Sequence, residues 1–215
     1  MRAAAIVLPP ICVGGAGYHA RMPTTHVLYL HGFRSSPQSM KSRKVAARMA
    51  AEHPGAVWWC PQLPPSPKEA MTMLMTGINH WPCQTMAVIG SSLGGFYATH
   101  VAEQAGCKAV LLNPAVDPAR DLHKYIGEQA SWHDPQDRFF FKPEYVDELR
   151  ALECNGPANP ASYFAVIAKG DEVLDWLEMT ARDSGARIKL LPAGDHALSD
   201  FDSHIDEVFS FLAPL

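Results

Sequence analysis

Hydrophobic positions along this chain follow two rhythms. Short, largely apolar runs recur: Val27-Leu28-Tyr29-Leu30, Ala56-Val57-Trp58-Trp59-Cys60, Met86-Ala87-Val88-Ile89, Ala109-Val110-Leu111-Leu112, residues 163–168 and Ile188-Lys189-Leu190-Leu191. Between them lie longer stretches in which apolar residues return every three or four positions. A strand half exposed to water alternates apolar and polar residues, whereas a near-continuous apolar run suits a strand buried on both faces of a parallel sheet. The longer stretches predict helices. Residues 39–52 carry Val45 and Met49, and a segment opening at Ser66-Pro67 carries Met71, Leu74, Met75 and Ile78. Serine as cap with proline at the first helical position marks that start. A third helix is expected over 93–105. A closing one carries Phe201, Ile205, Val208, Phe209 and Leu212. Strands that alternate with helices predict an α/β protein, with about six mostly parallel strands and helices on both faces.

One stretch breaks the rhythm. Residues 115–162 lie between the fourth and fifth strands, and only 143–152 reads as a convincing helix. The rest holds Trp132, His133, Phe139, Phe140, Phe141 and Asn155-Gly156-Pro157. Long loops in compact domains are functional or disordered. The aromatic content favours packing, so 116–160 is expected to be an irregular, cap-like insertion over a site. The methionines of the second helix are read as core.

At 215 residues, the chain can build one domain with a sizeable core. It shows no internal repeat and no linker long enough to divide it, so 22–215 reads as one domain. Residues 1–21 admit two readings. Arg2 followed by the apolar residues 3–8 resembles a short signal peptide, but Pro9-Pro10 interrupts it. Alternatively Met22 is the true first residue, since the first strand begins only near His26. The second reading is preferred, with 1–21 an unstructured or mis-set extension.

Composition narrows the function classes. The net charge of −4 offers no basic field for nucleic acid. No apolar run approaches the ~18 residues of a membrane span. The five cysteines are odd in number, scattered and without a Cys-x-x-Cys pair. Spacing therefore indicates neither a disulfide framework nor a zinc cluster, which suits a reducing, cytoplasmic setting.

The chemistry concentrates in Val88-Ile89-Gly90-Ser91-Ser92-Leu93-Gly94-Gly95. Gly-x-Ser-x-Gly between an apolar run and a helix is the setting of a nucleophile elbow. Glycines two before and two after the serine admit a turn that side chains would block. The turn lifts the Ser92 hydroxyl clear of the sheet and frees the Leu93 N–H for an oxyanion. A phosphate-binding loop would want lysine where Gly95 and Phe96 stand. A plain glycine-rich helix cap is the bland alternative, and the strand–turn–helix context weighs against it.

A serine hydroxyl needs a base, an orienting acid and an oxyanion hole. In such sheets the order along the chain is serine, acid, histidine. Asp171, in Gly170-Asp171-Glu172, follows the fifth strand and is the candidate acid, although aspartate after glycine is also a common turn residue. Glu172 and Asp175 are rivals, with Asp175 reading as a helix cap. His196, after the sixth strand, is the candidate base, being the histidine that follows Asp171 on a loop after a strand. The loop His31-Gly32-Phe33 is expected to supply the second oxyanion donor, the N–H of Phe33.

Taken together, Tyr29-Leu30-His31-Gly32-Phe33-x-Ser35-Ser36-Pro37, Pro61-Gln62-Leu63-Pro64-Pro65, the elbow, Asn113-Pro114-Ala115-Val116, Gly170-Asp171-Glu172-Val173-Leu174-Asp175 and Gly194-Asp195-His196-Ala197 resemble the YqiA/YcfP-type esterases of the α/β-hydrolase superfamily. The resemblance runs from about residue 26 to the C-terminus. It implies a compact six-stranded hydrolase fold lacking the first two strands of the full form. It also implies esterase or acyl-thioesterase activity on acyl-CoA or short artificial esters, with Ser92, Asp171 and His196 as nucleophile, acid and base.

The expected partner is therefore a small acyl ester or thioester, and the chemistry requires no metal or organic cofactor. An amidase or peptidase on the same triad, and a non-catalytic hydrolase-fold binding protein, remain alternatives. His31, Arg34 and Trp132 are candidate substrate contacts. Trp58, Trp59, Phe139, Phe140 and Phe141 are candidates to line an acyl pocket, against the general preference of aromatics for plain core. Arg34 reads equally as an anchor for a substrate anion or as a solvated surface arginine.

Overall fold

The computed structural model describes residues 24–212. The reading of 1–21 therefore lies outside the described residues. The elements run β1 (His26–Leu30), α1 (Met40–Glu52), β2 (Val57–Trp59), α2 (Pro67–Gly77), β3 (Met86–Ser91), α3 (Leu93–Ala105), β4 (Lys108–Leu112), α4 (Pro118–Leu122), β5 (Gly127–Ala130), β6 (Arg138–Phe141), α5 (Pro143–Arg150), β7 (Tyr163–Ala168), α6 (Trp176–Arg182), β8 (Arg187–Leu191) and α7 (Ile205–Leu212). Helix starts follow their caps. Ser39 accepts from the Ser42 N–H, Ser66 from Glu69 and Asp175 from Leu177, each satisfying a donor that the first helical turn leaves free.

Six strands form one sheet in the order β2-β1-β3-β4-β7-β8, parallel at every pairing. Successive side chains of a strand point to opposite faces. Here both faces are apolar, which is why the strands read as continuous runs. Leu28, Val88 and Leu111 pack on one side with α2, α3 and α5. Val27, Ile89, Val110 and Val166 pack on the other with α1 and α7. Both faces are thus covered by helices, as the sequence predicts.

The insertion differs from expectation. It is only partly irregular: α4, an antiparallel β5–β6 hairpin and α5 lie within it. Its hairpin strands are only four residues each, Gly-Glu-Gln-Ala and Arg-Phe-Phe-Phe, too short to show a clear period. Alternation is nonetheless present. Phe139 and Phe141 turn inward while Phe140 is exposed. The closing helix is also shorter than its apolar spacing suggests, because a 3₁₀ turn at Phe201–Ser203 precedes α7. Cys60, Cys107 and Cys154 are free thiols.

The strand order sets the position of the site. From β1 the chain moves to β2 on one side and then to β3 on the other. Loops leaving the carboxyl ends of β1 and β3 therefore diverge and leave a crevice, the place where open parallel sheets hold ligands. His31-Gly32-Phe33 follows β1, and Ser92 follows β3.

Candidate active site

Ser92 sits between β3 and α3 with φ 56° and ψ −122°. That backbone conformation is strained for a residue bearing a Cβ. It persists because the turn is held at both ends: the Ser92 N–H donates to the Leu112 carbonyl, and the Ala115 N–H donates to the Ser92 carbonyl, each at 3.0 Å. The helix that starts here presses on β1. A Cβ at Gly94 would lie 2.0 Å from the Leu30 carbonyl oxygen, so no larger residue fits while α3 keeps its place.

Ser92, His196 and Asp171 come together from three loops. Ser92 Oγ lies 3.0 Å from His196 Nε2, and His196 Nδ1 lies 2.8 Å from Asp171 Oδ2. The Asp171 side chain is fully buried, and His196 is about one-fifth exposed. Asp171 serves as both acid candidate and turn residue. Its Oδ1 accepts the N–H groups of Val173 and Leu174 at 2.8 Å, which leaves Oδ2 for the histidine. The rivals are otherwise occupied. Glu172 accepts the backbone N–H of His196 at 3.0 Å, and Asp175 caps α6.

The oxyanion candidates lie in the two segments that meet at Ser92. Leu93 is the first residue of α3, so its N–H has no acceptor within the helix. Gly32 brings the loop after β1 close, since a Cβ there would stand 3.6 Å from Ser92 Oγ. Phe33 follows directly.

Two cavities meet at the His31-Gly32-Phe33 loop, and one of them is lined by Ser92. One, about 370 Å³, runs from Phe33 and Leu93 past Met73, Tyr97, Phe141 and Leu149 and is mainly apolar. The other, about 310 Å³, holds Ser92 and His196 themselves, with Lys41, His133 and Trp132 around them. Lys41 reaches from α1 and donates to the Ala197 carbonyl. Burial pushes its pKa down to about 8, although the Asp195 and Asp171 carboxylates pull the other way.

The remaining candidates are placed as follows. The ring nitrogens of His31 are both engaged. Nε2 takes the Leu63 N–H at 3.2 Å and so must accept, leaving the proton on Nδ1, which donates to the Gly32 carbonyl at 3.0 Å. Burial lowers its pKa, reinforced by His133, so His31 is a neutral tie between two loops. Arg34 donates from Nε to the Ala130 carbonyl at 2.6 Å and lies over the Trp132 ring at 4.1 Å. The Trp132 N–H donates to the Arg34 carbonyl at 2.8 Å. This pair latches the β5–β6 hairpin to the loop after β1, and Arg34 also lines the 370 Å³ cavity. Trp58 packs on Tyr29 and Trp59 on Trp81. Neither lines the two cavities, whereas Phe139 and Phe141 do.

Sequence reasoning missed Asn113 and Lys41. Asn113 read as the end of the fourth strand, and Lys41 was not singled out. For Asn113 the signal was its place one residue past a strand, level with the elbow.

An elbow after β3, a histidine after β8, an acid after β7 and a parallel sheet switching direction between β1 and β3 together define the α/β-hydrolase class. Solved structures agree at the level of the fold. The chain is similar to a hydrolase candidate from Agrobacterium vitis S4 (TM-score 0.69, 17% identity, 89% of this chain and 91% of that one). It is also similar to mouse alpha/beta hydrolase domain-containing protein 10 (0.62, 16%, 88% and 91%). Est1E of Butyrivibrio proteoclasticus with bound ferulic acid is a third (0.63, 13%, 89% and 88%). Within that class the chain belongs to the family described as Uncharacterised protein family (UPF0227), whose model matches residues 26–213. This is the YqiA/YcfP family that the sequence motifs resemble. No helix among the described residues is long and apolar enough to cross a membrane.

Proposed function

We propose that this protein is a serine hydrolase that cleaves carboxylic esters or acyl thioesters by way of an acyl-enzyme. The observation that carries the reading is the hydrogen-bonded series from Ser92 Oγ through His196 to the buried Asp171, at 3.0 and 2.8 Å. Ser92 attacks the acyl carbonyl while His196 Nε2 takes its proton. Asp171 keeps the other proton on Nδ1 and stabilises the imidazolium. The N–H groups of Leu93 and Phe33 receive the tetrahedral oxyanion. His196 then protonates the departing alcohol or thiol, and the same residue activates water to release the acid.

The cavities suggest how the substrate lies. The apolar cavity adjoins the oxyanion side, through Phe33 and Leu93, and accepts the acyl group. The cavity that contains His196 accepts the leaving group, which must be protonated there. Esterases among the structural neighbours, Est1E included, support an ester as the substrate class. The residues require no cofactor for this chemistry, and a cytoplasmic setting remains part of the proposal.

The test is hydrolysis of p-nitrophenyl esters from acetate to palmitate, alongside acyl-CoA and a p-nitroanilide, by wild type and Ser92→Ala. A fluorophosphonate probe is run in parallel. Ester or thioester turnover and probe labelling that both vanish in Ser92→Ala are the expected result. Turnover that survives the substitution overturns the nucleophile, and cleavage of the anilide alone overturns the substrate class.

A further inference from the structure

The end of β4 and the residues after it are hydrogen-bonded to Ser92, to the end of β7 and to the loop that carries His196. Leu112 and Ala115 hold the Ser92 backbone, as described above. Between them stands Asn113, fully buried, with φ 43°, a left-handed conformation that asparagine tolerates better than most residues. Its backbone N–H donates to the Val166 carbonyl at 3.0 Å. Its Oδ1 accepts the N–H of Ala168, the last residue of β7, at 2.8 Å. Its Nδ2 donates to the carbonyls of Asp195 and His196 at 3.1 and 3.2 Å. The orientation of the amide is not ambiguous: a backbone N–H can only donate and a carbonyl can only accept, so the oxygen must face Ala168 and the nitrogen must face the histidine loop.

We infer that Asn113 is a positioning residue that sets the separation of acid and base. Ala168 stands three residues before Asp171, at the end of the strand that carries it. Asp195 and His196 are the loop that carries the base. One planar amide bridges the two, with an acceptor and two donor hydrogens at fixed spacing. No other side chain of this length offers both functions on a planar group. Aspartate would set a second oxygen against two carbonyl oxygens. Alanine or glycine would leave an N–H and two carbonyls without this partner. Lys41 holds the far side of the same loop through Ala197, so the loop is pinned from two elements. Of these two residues, Asn113 is the one that also holds the end of the acid strand. The inference rests on the triad reading above.

Asn113→Gly and Asn113→Asp test it. Glycine relieves the left-handed backbone and is the variant expected to fold best. Aspartate keeps the shape and the bond to Ala168 while removing the donors to the histidine loop. Ester hydrolysis, thermal melting and the downfield proton NMR signal of the His196–Asp171 hydrogen bond are measured for each. The expected result is a fall in kcat of about 10- to 100-fold, since misplacement of order 1 Å costs that much. KM should stay within about threefold, with the NMR signal shifted or broadened. Folded variants whose kcat stays within twofold of wild type, or whose downfield signal is unchanged, overturn the inference. The signal does not depend on turnover. Failure of the wild type to hydrolyse esters or take the fluorophosphonate would strike the proposed function, while the NMR comparison still decides the role of Asn113.

Discussion

Replacing Asp171 by asparagine separates orientation from packing. The carboxylate is buried and divided in its duties: Oδ1 accepts the Val173 and Leu174 N–H groups, and Oδ2 faces His196 Nδ1. In Asp171→Asn the amide oxygen keeps the two backbone donors, because an NH2 group placed there would meet N–H groups head-on. The amide nitrogen must then face Nδ1 and donate to it. Nδ1 becomes an acceptor, and the imidazole proton moves to Nε2, where it points at Ser92. The histidine can no longer take the serine proton. A wrong tautomer of this kind costs about 10⁴ in kcat, or about 5.5 kcal/mol in the barrier. The shape is unchanged, so the melting temperature should move by only a few degrees. Glu172→Gln is the control, since it alters only the acceptor of the His196 backbone N–H and should leave kcat within about tenfold. The assay is steady-state hydrolysis of the best p-nitrophenyl ester, with the melting curve of each variant. An Asp171→Asn enzyme within tenfold of wild type would refute the argument. So would a Glu172→Gln enzyme as damaged as Asp171→Asn, which would make Glu172 the acid.

Two further outcomes follow from burial. Phe141 is 1% exposed, meets Phe33 and Tyr145 edge-on at 5.3 and 5.6 Å and walls the apolar cavity. Phe141→Ala should cost about 3–5 kcal/mol in urea unfolding and, in the folded fraction, shift the ester optimum to longer acyl chains; an unchanged optimum would remove that cavity as the acyl site. Asp183 is 2% exposed, and burial raises its pKa from 3.8 to about 6, against the opposing pull of Arg182. The folded state therefore keeps a proton that the unfolded state has released, so stability is full below pH ~4 and is lost as pH rises through ~6, by roughly 3 kcal/mol. Asp183→Asn should remove that loss, raising the melting temperature at pH 7 while changing it little at pH 4.

Much of the molecule was legible along the chain, and the reason is local. A strand buried on both faces must be apolar throughout, so β1, β3, β4 and β7 announced themselves. Ser66-Pro67 and Asp175 signalled helix starts because caps act within one turn. The elbow was legible because its glycines answer a steric demand within five residues. Ser92, Asp171 and His196 were legible as candidates because each sits one loop past a strand. The β5–β6 hairpin was not, since the inward rings of its second strand pack on Phe33, far away in sequence, and its short strands show no clear period of their own.

What the sequence determined by itself was therefore the inventory: an α/β sheet, a glycine-flanked Ser92 turn, and Asp171 and His196 as candidate partners in that order along the chain. What only the tertiary structure decided was which groups share a hydrogen bond. Glu172 and Asp171 are neighbours in sequence, yet one takes the histidine's backbone and the other its ring. Arg34 and Trp132, separated by nearly a hundred positions, latch to each other beside the oxyanion loop. Asn113 and Lys41 brace a loop some eighty and a hundred and fifty residues away. Such pairings depend on strand order and on the length of each loop, and those quantities are fixed by packing across the whole sheet rather than by any local preference of the chain.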